Sequence, residues 1–102
     1  GVVELDLTAL KVGDKLLVIT RRTVYTFEIL PQKEAMMTSN RPDRPSGRVR
    51  INGGSFGAST SIKPDFVFCG GNVEFIHLDT GIVYTSTQVR ALQVTHAAPK
   101  VI

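Results

Sequence analysis

The chain has 102 residues, 42% of them apolar and 21% charged, with twelve Lys and Arg against nine Asp and Glu. That balance excludes global disorder, and the length fits one domain that buries roughly 60–70% of the surface its unfolded form exposes. The single Cys69 excludes an internal disulfide, and no apolar run approaches the ~20 residues of a helical membrane span. A reducing, cytoplasmic setting is therefore expected, with no membrane partner. No signal-peptide pattern is present, although the chain starts at Gly1.

In chain order, residues 2–7 alternate as a strand does, with Val3, Leu5 and Leu7 on one side. Residues 8–14 read as a connection anchored by Leu10 and Val12 and closed by a Gly13-Asp14 turn signal. Residues 15–20 form a compact apolar strand. Arg21-Arg22 then falls at a turn, tight or bulged, although neither residue favours positive φ. Residues 23–30 alternate again, placing Thr23, Tyr25, Phe27 and Ile29 together, and Pro31 stops the strand by removing a backbone donor. Residues 32–39 fit either a helical turn or a short strand, and their shortness and β context favour the strand.

Residues 40–47 (NRPDRPSG) are the clearest loop in the chain. Residues 48–52 follow as a short strand with Val49 and Ile51 inward and Arg48, Arg50 and Asn52 outward. The glycine- and serine-rich stretch 53–61 reads as a loop anchored by Phe56. The segment 72–94 supplies the strongest strand signal: two β-branched and aromatic runs flank Asp79-Thr80-Gly81. With a three-residue loop, Leu78 faces Ile82. One face then collects Ile76, Leu78, Ile82 and Tyr84, and the other Val73, Phe75, His77, Val83, Thr85 and Thr87. Both faces are apolar enough to suit central strands covered on both sides.

No stretch carries a 3.6-residue period with caps. About seven short strands with regular turn signals indicate an all-β fold, a small closed or half-open antiparallel barrel. The expected organisation is a single domain over residues 1–94 and a partly disordered tail over 95–102, with a Val101-Ile102 contact as the one anchor in it.

Four features are candidates for function. Arg41, Arg44, Arg48 and Arg50 against Asp43 account for the whole formal excess of +3, and the other charges cancel. Guanidinium forks match phosphate oxygens, so this stretch is a candidate contact for nucleic acid or another polyanion, although no aromatic residue is interleaved for base stacking. A solvated loop is the alternative. The glycine-rich stretch, with Gly54 and Ser55, is a candidate anion cradle of backbone N–H groups, and a tight strand corner explains the same glycines. Cys69, His77 and His96 lack metal-ligand spacing, so neither a metal nor a cofactor is expected and no catalytic residue is assigned. A small Cys/His enzyme is the least favoured reading. The apolar hairpin faces allow a homo-oligomeric interaction subunit, against a monomer whose own segments cover them.

Residues Leu10, Gly13, Asp14, Gly54, Ser55, Ile62, Gly71, Glu74, Phe75, Thr85, Ser86 and Val89 form a pattern of turn and core positions. It resembles short bacterial β-barrel-like proteins of unassigned function, departing from them at Thr87, where that pattern has proline. The resemblance implies a fold and brings no catalytic residue. The expectation overall is a binding or assembly module rather than an enzyme.

Overall fold

A computed structural model describes residues 1–57 and 61–99. The protein is all-β: every sheet pairing among the described residues is antiparallel, and no helix there is long and apolar enough to cross a membrane. The strands are β1 (Glu4–Asp6), β2 (Lys15–Ile19), β3 (Val24–Ile29), β4 (Ala35–Ser39), β5 (Gly47–Ser55), β6 (Lys63–Pro64), β7 (Phe66–Phe68), β8 (Asn72–His77), β9 (Val83–Thr85) and β10 (Ala91–Thr95). The main sheet runs β10-β2-β3-β4-β5-β8-β9, with β6 also on β5, and β1 pairs with β7 in a second small sheet.

The chain leaves β9 at one edge of the main sheet and enters β10 at the other after only five residues, 86–90. A flat sheet of seven strands would be about 28 Å wide at the usual strand spacing, and that link reaches only about 20 Å. The sheet must therefore curl. The side chains agree: Phe27 of β3 and Phe75 of β8 lie three places apart in the sheet, yet their rings meet edge to face at 5.5 Å. The linking residues bond to both sides of the seam. Ser86 N donates to Val73 O, Val89 N to Gly71 O and Arg90 N to Ile19 O. No continuous ladder closes the curl among the described residues, because β9 and β10 are separate ends of the strand order.

Alternation fills the concave side. Leu16 and Val18, Tyr25 and Phe27, Ala35 and Met37, Val49 and Ile51, and Val73 and Phe75 are inward pairs two residues apart, joined by Val67, Val89 and Leu92. Residues 32–39 resolve to strand, with β4 beginning at Ala35. The β2–β3 turn is tight without positive φ. Thr20 N donates to Thr23 O at 2.9 Å, and the Thr20 hydroxyl, in place of its carbonyl, accepts from Thr23 N at 3.1 Å.

Three expectations are corrected. First, residues 53–55 are strand rather than loop: β5 passes a bulge between Ile51 and Gly53 and continues to Ser55. The glycines there serve close approach. A Cβ on Gly54 would lie 2.7 Å from the Phe68 ring, and one on Gly71 would overlap the other edge of that ring. Second, the β8–β9 register is Phe75 opposite Tyr84 and Ile76 opposite Val83, one residue from the expected pairing. Gly81, at φ 73, donates its N–H to His77 O, so the loop holds four residues, Leu78 included. Because strand side chains alternate, that slip exchanges faces: Tyr84 turns in against Phe75, and Val83 turns out. Third, β9 is an edge strand and not a central one.

The segment after residue 94 begins as structure: Thr95 closes β10, and Ala97 N donates to the Asp14 carboxylate at 2.9 Å. The Val101-Ile102 contact and the last three residues lie outside the described residues, as do Ala58, Ser59 and Thr60.

Candidate anion-binding cleft

The arginine stretch of the sequence is dispersed by the fold. Arg48 and Arg50 lie on β5, where both face Glu34, at 3.4 Å and 4.0 Å, and Arg48 also faces Asp79 at 3.8 Å. Arg44 lies with its guanidinium 5.0 Å from the Tyr84 ring centroid and 3.8 Å from Asp43, its side chain mostly covered. Arg41 bonds Asp43 at 2.6 Å, and that hydrogen bond holds the Asp43 carboxyl below the ordinary aspartate range. Gly54 and Ser55 are buried beside Phe68 and Asn72, on a part of β5 that pairs with β6 and β8, and they share no surface with the arginines. Their small size is used for packing.

The structure gathers a different set of arginines. The β2–β3 turn presents Arg21 and Arg22, the β4–β5 loop presents Arg41, and the β9–β10 link presents Arg90. All four line one open cleft of about 620 Å³, together with Thr23, Asn40, Pro42, Thr87 and Gln88. No acidic residue lines it. Among the described residues Arg21, Arg22 and Arg90 have no carboxylate within 4.0 Å, and all three are exposed.

The cleft has a built frame. Asn40 Oδ1 accepts from Val24 N at 2.9 Å, which ties the β4–β5 loop to the start of β3. Arg90 N donates to Ile19 O at 2.7 Å, setting Arg90 beside the β2–β3 turn. Gln88 Nε2 donates to Gly70 O at 3.2 Å. The amide side chains are thus engaged in holding the loops, and the guanidinium groups of Arg21, Arg22 and Arg90 carry the unmatched charge, while Arg41 is paired with Asp43.

The sequence held two usable signs of this site: Arg41 of the arginine stretch, and the adjacent Arg21-Arg22 at a turn, where both side chains must be solvated. Arg90 carried none, because only the pairing of β10 with β2 brings residue 90 to residue 19. Assigning the whole charge excess to residues 41–50 overlooked that those arginines have acidic neighbours in space.

Other chemistry does not assemble. Cys69 precedes β8 and its Sγ contacts Val2 O at 3.6 Å, whereas His77 ends β8 and packs edge to face on Tyr84 at 5.3 Å. The full length of β8 separates the two. His96 lies 3.3 Å from Asp14. Among the described residues no three His, Cys, Asp or Glu side chains converge on a metal-sized space. Comparison with protein-family models, curated proteins and solved structures finds no match.

Proposed function

We propose that this protein is a non-enzymatic binding module for a polyanion, most simply nucleic acid, on a half-open barrel scaffold. The observation that carries the reading is the convergence of Arg21, Arg22, Arg41 and Arg90 on one cleft without an acidic residue in its lining. Guanidinium groups pair with phosphate oxygens in bidentate fashion. No aromatic residue lines the cleft to stack a base, so contacts run to the phosphate backbone and carry little sequence preference.

The test is a titration of labelled single- and double-stranded DNA at ~50 and ~200 mM salt. Three phosphate contacts, from the unpaired Arg21, Arg22 and Arg90, give a slope near −2 to −3 in log K against log salt, so affinity falls by roughly 20- to 40-fold between those conditions. Replacing Arg21, Arg22 and Arg90 together by Ala reduces both affinity and slope, whereas Arg48→Ala with Arg50→Ala leaves the slope unchanged. Absence of binding at the lower salt, or equal effects of the two sets, would overturn the reading.

A second reading rests on β9, an edge strand on which Val83, like Ile82 just before it, is 50% exposed. An open apolar edge favours pairing with a second copy of the chain. Sedimentation velocity decides it: association that rises with concentration and is lost in Val83→Lys supports this reading, and a concentration-independent monomer ends it.

A further inference from the structure

A second concavity lies at the other end of β3 from the arginine cleft. It encloses about 280 Å³, near the lower end of the roughly 300–1,000 Å³ usual for small-molecule sites. Its walls are mostly apolar: Leu7 of the 3-10 turn at Leu7–Ala9, Leu10 and Val12 after it, Ile29 at the end of β3 with Leu30 next to it, and Ile51 of β5, with Thr8 and Glu34 also in the lining. The mouth carries Gln32 and Lys33 from the β3–β4 turn and Asp65 from the β6–β7 link.

The frame around this space is fixed on three sides. Leu7 N donates to Asp65 O at 2.8 Å, and Gly13 N donates to Ile29 O at 2.8 Å. Lys33 Nζ reaches Asp65 Oδ2 at 3.4 Å across the mouth. The backbone at the mouth is also strained. Gln32, Lys33 and Asp65, at φ 64, 60 and 56, are the non-glycine residues with positive φ among the described residues, and all three line this one concavity. They come from two segments separated by more than thirty positions, so a single awkward turn does not account for them. Such conformations persist where the surroundings hold them, and they cluster at ligand sites.

The charges narrow the ligand. Lys33 is matched by Asp65, and Glu34 is matched by Arg48 and Arg50. Among the described residues no unpaired charge is left in the lining to receive a charged ligand, and a charge buried against the apolar walls without a partner is costly. The Gln32 amide has no hydrogen-bond partner among the described residues, so it remains able to donate and to accept. We propose that this pocket binds a compact uncharged molecule, its apolar body (one ring or a short branched chain) within the walls and a hydroxyl, carbonyl or amide at the mouth beside Gln32. This site is independent of the polyanion cleft.

The experiment is a chemical-shift titration of the ¹⁵N-labelled chain with benzyl alcohol, and in parallel with benzoate and benzylamine as charged counterparts. The expected result is saturable shifts with benzyl alcohol confined to residues 7–12, 29–35, 51 and 65, with each charged probe at least tenfold weaker there. Benzoate shifts at residues 21–23, 40–42 and 87–90 would report the arginine cleft and are counted separately. Val12→Phe places a ring into the space from a wall position that is 58% exposed, and it abolishes the benzyl alcohol shifts while the spectrum stays dispersed. Shifts scattered over the surface, charged probes as strong as the alcohol, or undiminished binding in a folded Val12→Phe would each overturn the proposal. Should Val12→Phe fail to fold, the location and charge ranking of the wild-type shifts decide it.

Discussion

Asp14 shows how one side chain couples distant parts of the chain. It is buried in the turn before β2, and its carboxylate accepts hydrogen bonds from Lys11 N and Ala97 N, each at 2.9 Å, with His96 Nδ1 at 3.3 Å. Those two backbone donors, Lys11 first, hold its pKa below the ordinary aspartate value, with a smaller effect from His96. The sign follows from linkage. A carboxyl with a lower pKa folded than unfolded contributes stability that is complete above the unfolded value of about 4 and is lost as pH falls through the folded one. Urea titrations from pH 7 to pH 3 therefore show wild-type stability falling below about pH 5. Asp14→Asn starts lower at pH 7, because an amide has one acceptor oxygen where two are used, and its curve is flatter across that window.

At the scale of the element, the β3–β4 turn departs furthest from what its residues prefer. Glu34 N donates to Pro31 O at 3.4 Å around Gln32 and Lys33, both at positive φ, which is the pattern of a type I′ turn. Asn-Gly is the favoured pair there, and an ordinary side chain in the left-handed region costs about 1–2 kcal/mol. The exposed Lys33–Asp65 pair returns little, about 0–1 kcal/mol. Gln32→Asn combined with Lys33→Gly is therefore expected to stabilise the protein by about 1 kcal/mol, a rise in Tm of roughly 4–8 °C. A thermal melt that shows a loss instead would mean that the Lys33 contact outweighs the strain. The β2–β3 turn meets a similar requirement differently, since the Thr20 hydroxyl stands in for the carbonyl and lets Arg21 and Arg22 keep negative φ.

For the whole molecule, the curl of the sheet governs both folding and the assembly of the candidate cleft. β10 pairs residue 91 with residue 19, so one ladder joins nearly opposite ends of the chain. Closing so large a loop loses entropy before any contact compensates it, and proteins dominated by such pairings fold in milliseconds to seconds. Stopped-flow refolding is expected in that range, and a microsecond phase carrying the full amplitude would contradict it. The same pairing sets Arg90 beside the β2–β3 turn and assembles the cleft. The pocket at the far end of β3 likewise draws on segments from residue 7 to residue 65.

The alternation of apolar and polar residues, the prolines and the glycine turns determined by themselves that this chain is all-β, where most strands lie and which residues face the core in β3 and the first half of β5. These are local properties, set by a two-residue side-chain period and by backbone freedom at single positions. Tertiary structure decided the rest. The β8–β9 register turned on one extra loop residue, which local pattern barely distinguishes and which exchanged Tyr84 with Val83. Gly54 read equally well as a loop signal or a tight corner, and the Phe68 ring packed against it and Gly71 decides for close approach. The arginines that share a cleft come from three separate parts of the sequence, and Arg41, Arg44, Arg48 and Arg50 are matched to acids in loops, Asp43, Glu34 and Asp79. Electrostatic neighbourhood depends on distance in space, and only the curled sheet sets those distances.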